Sequence, residues 1–368
     1  MKILLLTCSS GEGHNSAAIA IYDEALHEGH EAEIAFSNHL GEPKRPSAFD
    51  KFYNSLITHA PSLFGVIYNL GLAANKVLFP NIIYCVNRFN IKKLYHYIVD
   101  NKFDAVICTH PFMMSKMTAI RKKYRLFVPS FGVLTDYTYI PFINNSKMDK
   151  YFIAHADLRP QLIGWKIPID KQCVTGMPTK QEFSQNVNKD EIRKKLNLPQ
   201  DKKIILVVGG AVGCRNIYGV CKYFKKLKKD DIFIYVVTGH NDKMFRKITN
   251  KYVEYNIIPI RFTPKIYDWV KASDVVITKP GGLSSSEIGV ANVPIVHLKA
   301  KWGCEAKNAK FFSTRGMSRY ALNNADAVRQ AFSIINHNDI AEFIITNQKQ
   351  NLDKHAAKNI LKEVAEYV

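Results

Sequence analysis

Three times in this chain a short apolar run, rich in β-branched residues, ends in a glycine-bearing turn and passes straight into a helical pattern. The runs are Lys2–Thr7, Lys203–Val208 and Asp274–Ile277. The turns that follow are Cys8-Ser9-Ser10-Gly11-Glu12-Gly13-His14, Gly209-Gly210-Ala211-Val212-Gly213 and Thr278-Lys279-Pro280-Gly281-Gly282. A buried strand that gives way to a helix within a few residues leaves little choice of architecture. Successive strands run parallel, and the helices are crossovers covering both faces of the sheet. Ligands of such sheets bind beyond the carboxyl ends of the strands, where all three turns fall.

The alternation extends through both halves. In the first it predicts strands at Lys2–Thr7, Glu31–Phe36, Phe103–Cys108, Leu126–Leu134 and Lys150–Ala154. Helices are expected from Asn15 to about Glu28, up to Tyr124, and up to about Trp165. Val174-Thr175-Gly176-Met177-Pro178 reads as a crossing, and Lys189 to Leu196 as a charged connector. Strands 203–208, 232–238, 257–262, 274–277 and 295–298 then alternate with helices 216–228, 241–253, 265–272 and 283–292. The fold class is therefore α/β, with two Rossmann-like domains, 1–172 and 173–350, whose sheets face a shared cleft. Residues 351–368 form a C-terminal helix expected to pack back toward the first domain.

Charge narrows the partners. The 368 residues carry a net charge of +19, which calls for something anionic. The imbalance is local: residues 1–42 hold one lysine against seven acids, whereas 43–125 hold 13 lysines and arginines against three acids. From Leu40 to about Ile98, Phe49, Phe52, Tyr53, Phe64, Tyr68, Phe79, Tyr84, Phe89, Tyr95 and Tyr97 are interspersed with Lys44, Arg45, Lys51, Lys76, Arg88, Lys92 and Lys93. Helical packing, a lipid surface and single-stranded nucleic acid all fit such a stretch. No recognised nucleic-acid motif supports the last, and no nucleic-acid partner is expected. Residues 1–7 are too short and too soon polar for a signal peptide, and Leu63 to Ala74 is too short to span a bilayer. Seven scattered cysteines without a C-x-x-C pair suit a reducing compartment and argue against a structural zinc site.

Thr278 to Glu287 carries the most chemistry. A helix that begins at Gly281-Gly282 offers unpaired N–H groups and a partial positive charge, and the glycines admit a phosphate to that backbone. Ser284, Ser285 and Ser286 can cap the helix or donate hydroxyls, and Glu287, one turn in, can accept two sugar hydroxyls. These parts suit a nucleotide's diphosphate and ribose; an ordinary capped helix is the plainer alternative.

Four stretches carry a resemblance. They are Ile277-Thr278-Lys279-Pro280-Gly281-Gly282 with its helix to Glu287 and Val293-Pro294, Gly11-Glu12-Gly13-His14-Asn15-Ser16-Ala17-Ala18, Leu134-Thr135-Asp136-Tyr137, and Gly303-Cys304-Glu305-Ala306-Lys307-Asn308-Ala309. In this order and spacing, across nearly the whole chain, they resemble the monogalactosyldiacylglycerol synthase and processive diacylglycerol glucosyltransferase group, a GT-B family. The resemblance implies an inverting transfer of a hexose from a UDP-sugar to diacylglycerol or a glycosyldiacylglycerol. It implies neither a metal nor a cofactor beyond the donor, and a peripheral position on the cytoplasmic face of the membrane. The second domain would hold the donor. Gly281, Gly282, Leu283 and Ser284 would line the diphosphate together with the turn of Gly209, Gly210 and Gly213. Glu287 would take the ribose, Phe262 the uracil, and Glu305 and Asn308 the sugar. The first domain would hold the acceptor, with 43–98 on an anionic membrane surface.

An inverting transfer needs a base for the acceptor hydroxyl and positive charge for the leaving UDP. His14, at a helix start that disfavours its protonated form, is the expected base. Asp136 is the rival base or the partner that orients His14. Two places depart from the family pattern. Tyr139-Ile140-Pro141-Phe142-Ile143 stands where a His and a Trp are common, and Trp302-Gly303-Cys304-Glu305 replaces a Pro-Gly-Gln-Glu. They leave open the hexose, a MurG-type polyprenyl-linked acceptor, a UDP-sugar epimerase, and a basic membrane- or nucleic-acid-binding protein with a decayed site.

Overall fold

The computed structural model describes residues 1–8, 11–36, 91–140, 143–209, 215–227, 231–300 and 303–368. Most of the aromatic and basic stretch 40–98 lies outside the described residues, as do Gly210 and Gly213. The chain divides into two compact units. One comprises Met1–Gln181, Trp302–Cys304 and Asp353–Val368; the other comprises Glu182–Lys301 and Glu305–Leu352.

The first unit is built on a parallel sheet of six strands: β1 (Lys2–Thr7), β2 (Glu31–Phe36), β3 (Ala105–Cys108), β4 (Ser130–Val133), β5 (Lys150–Ile153) and β6 (Gln172–Val174). They lie in the order β2-β1-β3-β4-β5-β6. Leu5 of β1 sits level with Ile34 of β2 and Ile107 of β3, and every side chain from Ile3 to Leu6 is fully buried. Burial on both faces is why β1 is a continuous apolar run with no alternation. The strand expected from Leu126 is confined to Ser130–Val133, because Arg125 ends the preceding helix, Pro111–Tyr124, in a left-handed conformation and a short loop follows.

An expected division after residue 172 would cut β6, whose Phe152–Cys173 pairing ties it to β5. The helix Ala356–Ala365 belongs to the first unit: Ile360, Leu361 and Val364 pack with Ile3, Leu5, Ile107, Phe131 and Phe152. Lys150 Nζ donates to Glu363 at 2.7 Å.

The second unit repeats the plan with β7 (Lys203–Val208), β8 (Ile232–Gly239), β9 (Ile257–Arg261), β10 (Val275–Thr278), β11 (Ile295–His297) and β12 (Arg319–Tyr320), in the order β12-β11-β10-β7-β8-β9. Val207 pairs with Ile277 on one side and Val236 on the other. The charged connector is itself a helix, Lys189–Lys195, capped by Asn188. Its Lys189 and Arg193 hold Asp274 at 2.5 and 2.9 Å, and Asp274 in turn accepts from the Ile204 N–H at 2.7 Å. This network fastens the start of β10 to the start of β7.

Gly176 decides how the C-terminal helix seats. Its φ is +89°, and a Cβ there would meet Asp353 Cβ at 2.8 Å and Ala356 Cβ at 2.9 Å, neither of which is a flexible side-chain end. Gly176→Ala is therefore expected to cost about 2–4 kcal/mol, combining left-handed strain with overpacking. A thermal midpoint within a degree of the parent would show that this contact does not hold the helix.

Candidate active site

Each sheet reverses its strand order at one place, between β1 and β3 in the first unit and between β7 and β10 in the second. At such a switch point the connections leave to opposite faces, and a crevice opens beyond the carboxyl ends. The His14 turn follows β1 at the first of these places, and the Gly281–Gly282 turn follows β10 at the second.

In the first unit β1 ends at Thr7, and helix Glu12–His27 starts after Gly11. Gly11 has φ +91°, and a Cβ on it would lie 2.8 Å from His14 Cδ2, so the turn needs glycine for its conformation and for the ring beside it. His14 Nδ1 lies 2.8 Å from the Thr109 carbonyl oxygen, just past β3, and 2.8 Å from Thr135 Oγ1, just past β4. A carbonyl oxygen only accepts, so Nδ1 carries the proton and Nε2 is left with a lone pair. Burial lowers the His14 pKa to about 4, opposed in part by the Thr109 carbonyl. The half-buried imidazole is thus neutral, of fixed tautomer and basic at one nitrogen.

His110 forms the second half of this arrangement and carries no distinctive signal beyond its place after a strand. Its ring meets that of His14 edge-on, with centroids 4.5 Å apart. Its Nδ1 accepts from the Phe112 N–H and so caps helix Pro111–Tyr124. Burial first, and the neighbouring His14 second, hold its pKa well below the ordinary value. The helix residue after His14 is also engaged: Thr7 Oγ1 donates to Asn15 Oδ1 at 2.8 Å. Asp136 is half-buried next to Thr135. His14 Nδ1 is met by the Thr109 carbonyl and the Thr135 hydroxyl.

Tyr139 is a core residue. It is 1% exposed, lies parallel to Trp165 with centroids 4.3 Å apart, and donates its hydroxyl to Asn144 Oδ1 at 2.7 Å. The departure at 139 therefore fills space with an aromatic pair that the separate Trp165 completes.

In the second unit Thr278 Oγ1 donates to the Val208 carbonyl at 3.2 Å across the switch point. Helix Gly282–Val290 follows, with no side chain capping its N-terminus. The serines divide. Ser284 is exposed at the first turn, Ser286 donates back to the Gly282 carbonyl, and Ser285 is bonded to buried His297 at 2.9 Å. Ser318 Oγ holds the other His297 nitrogen at 3.0 Å. The hydroxyls of Ser285 and Ser286 thus anchor the helix from behind, and the backbone N–H groups of Gly282, Leu283 and Ser284 form its open first turn. Among the described residues, a Cβ on Gly281 would find only Ser284 Oγ, at 4.0 Å. Glu287 is half-buried one turn on.

Asn308 Nδ2 donates to the Pro280 carbonyl at 3.2 Å, and Glu305 Oε1 accepts from Lys279 Nζ at 3.0 Å. Both sequence-picked residues of helix Gly303–Thr314 are thereby drawn to the glycine turn. Phe262, just past β9, is half exposed and stacks on His240, just past β8, with centroids 4.4 Å apart and planes 17° from parallel. Gly209 directly follows β7 and is buried. His240 and Lys279 lacked a role in the sequence; proximity in space supplies one. Among the described residues no group of three or more His, Cys, Asp or Glu is placed to hold a metal ion.

With this geometry in place, the likeness to known proteins can be read. Residues 14–179 match the monogalactosyldiacylglycerol (MGDG) synthase family model, and residues 188–311 match that of glycosyl transferases group 1. A processive diacylglycerol beta-glucosyltransferase of Bacillus pumilus is 26% identical over 99% of this chain and 94% of its own length. Proteins of the same name from Bacillus subtilis and Staphylococcus aureus MRSA252 are 24% and 23% identical, over 98% and 100% of the chain. Among solved structures, Staphylococcus aureus MnaA with UDP superposes with a TM-score of 0.67 at 15% identity, covering 100% of this chain and 97% of that one. Acinetobacter baumannii MurG gives 0.62 at 13%, covering all of both chains. The chain is a two-domain protein of the GT-B class. Its first half matches the monogalactosyldiacylglycerol synthase model, and almost its whole length is similar to processive diacylglycerol beta-glucosyltransferases.

The buried His297 makes the second unit sensitive to acid. Burial pushes its pKa down to about 3 from an ordinary 6.5. On acidification the unfolded chain takes up this proton first, so the stability it contributes is complete above about pH 6.5 and is lost as pH falls toward 3. Unfolding free energy at pH 5 should be lower than at pH 7 by about 2 kcal/mol from this group alone. His297→Gln should flatten that slope in denaturant titrations; an unchanged slope would assign the effect elsewhere.

Proposed function

We propose that this protein transfers a hexose from a UDP-sugar to diacylglycerol, or to a glycosyldiacylglycerol, with inversion at the anomeric carbon. The observation that carries the reading is the locked imidazole of His14. A carbonyl fixes its Nδ1 proton, burial keeps it neutral, and Nε2 is the free basic site. Relatives named for diacylglycerol glucosyl transfer over almost the full chain supply the substrate class.

The acceptor hydroxyl gives its proton to His14 Nε2 as its oxygen attacks the anomeric carbon. A bond from carbon to the acceptor oxygen forms, and the bond to the β-phosphate oxygen breaks. The electron pair stays on that oxygen, so UDP departs with one more negative charge. The N–H groups of Gly282, Leu283 and Ser284 and the helix dipole are the proposed recipients of that charge, with Gly209 on the adjoining strand end. Glu287 takes the ribose hydroxyls, the His240–Phe262 pair offers a stacking face for uracil, and Glu305 and Asn308 attend the sugar. Thr109, Thr135 and His110 are positioning residues for His14. Asp136, half-buried next to Thr135, remains the proposed alternative base. Purified protein incubated with radiolabelled UDP-sugars and diacylglycerol vesicles tests the reading, and labelled glycolipid is the expected product. His14→Ala should then lower turnover by about 10²–10⁴-fold while UDP affinity holds. Near-normal turnover, with Asp136→Asn inactive, would exchange the two roles.

The proposed position is peripheral, on an anionic leaflet facing the cytoplasm. Among the described residues no helix is long and apolar enough to cross a membrane. Phe127 is 89% exposed in the loop after Lys122, Lys123 and Arg125, and Tyr124 at that helix end stacks on Tyr95 of helix Ile91–Asp100, which also exposes Lys92 and Lys93. A protruding aromatic among cations suits insertion beside anionic headgroups. Binding to anionic vesicles should fall with salt and weaken on Phe127→Ser or on reversal of Lys122 and Lys123 to Glu. Equal sedimentation with neutral and anionic vesicles would remove the electrostatic part.

A further inference from the structure

We propose that Lys279 is a catalytic residue that changes partner during the reaction: it leaves the Glu305 carboxylate for the donor's diphosphate, and Glu305 is released to the sugar. The proposal rests on the glycosyltransfer reading of the second unit.

Lys279 is the first residue beyond β10, at the switch point of the sheet. Its backbone is held firmly. The Lys279 carbonyl accepts from the Gly281 N–H at 2.9 Å, and the Pro280 carbonyl accepts from Asn308 Nδ2 at 3.2 Å. Its side chain is the movable part. Lys279 Nζ lies 3.0 Å from Glu305 Oε1, and the two side chains are 44% and 43% exposed. A solvated pair of this kind is worth little and exchanges readily. Two residues beyond Lys279, the helix N-terminus at Gly281 has no capping side chain, so the ammonium is tethered beside the place proposed for the diphosphate.

The chemistry asks for such a group. Backbone N–H groups and a helix dipole supply partial charges, whereas the breaking bond places a full additional charge on the β-phosphate oxygen. A lysine cation provides a whole opposing charge on a flexible stem. Glu305 serves both states. Without donor it holds Lys279 near the turn. With donor, the carboxylate freed of its cation becomes an acceptor for sugar hydroxyls, so sugar recognition and leaving-group neutralisation are coupled through one exchange. A UDP-sugar that lacks a hydroxyl for Glu305 would leave Lys279 partly engaged and the leaving group less well neutralised.

The test compares UDP, which has the diphosphate, with uridine, which lacks it, on the full chain. UDP is titrated by calorimetry and uridine by ligand-observed NMR. Lys279→Met should weaken UDP about 10- to 100-fold and leave uridine unchanged. Lys279→Arg should recover most of the loss, and Glu305→Gln should tighten UDP because the cation is no longer shared. UDP affinity in Lys279→Met equal to the parent's would overturn the proposal, as would equal losses for UDP and uridine, which mark damage to the site as a whole. A parent protein that binds no UDP would overturn the glycosyltransfer reading and this proposal with it; a parent that binds UDP while the variants do not discriminate overturns this proposal alone.

Discussion

Where two neighbouring parallel strands send their connections to opposite faces of a sheet, the backbone beyond their carboxyl ends is left with nothing to pack against. Both units of this protein have one such place, and everything of chemical interest in them is arranged around it. At the first, three strand ends converge on a single imidazole: Gly11 after β1 lies against its edge, the Thr109 carbonyl after β3 accepts from its Nδ1–H, and the Thr135 hydroxyl after β4 meets the same nitrogen. At the second, a helix start lacks a capping side chain because its N-cap residue is Gly281, while Ser285 and Ser286 behind it are turned inward. The open positions are consequences of topology, and the side chains exploit them.

The two sites use opposite electrostatic devices. Burial strips His14 of its charge, so that it can receive a proton. The helix Gly282–Val290 instead presents fixed donors to an anion, and the neutral, buried His297 braces that helix through Ser285. The brace adds no charge beneath the helix start proposed to hold the diphosphate. A buried imidazole whose two nitrogens both face serine hydroxyls is a way to order a helix without placing a cation or a carboxylate under it.

The departures from the family pattern have unequal consequences. At Tyr139 the change is absorbed by packing: the ring is buried against Trp165, and its hydroxyl is satisfied by Asn144. At Cys304 the neighbouring Glu305 is retained and paired with Lys279. At the first an aromatic pair fills the space; at the second the charged group of its stretch stays in place.

The sequence by itself determined the strands and the glycine turns. Burial on both faces demands continuous apolar runs, and a strand-to-helix turn demands glycine or a cap, so both leave local marks. The turns that carry His14 and Gly281-Gly282 were legible for the same reason. Only the tertiary structure decided which strands adjoin, and hence that Thr109, 95 residues from His14, would fix its tautomer. A backbone carbonyl has no side-chain signature, and pairing β1 with β3 rather than with a later strand is settled by sheet closure over long sequence separations. His110, His240 and Lys279 were hidden likewise, since each acquires its role from a neighbour on another element. The division of the three serines followed from His297, whose place beneath the helix depends on β11 lying next to β10. Periodicity records what a residue does for its own element; partnership across elements is written only in the packing.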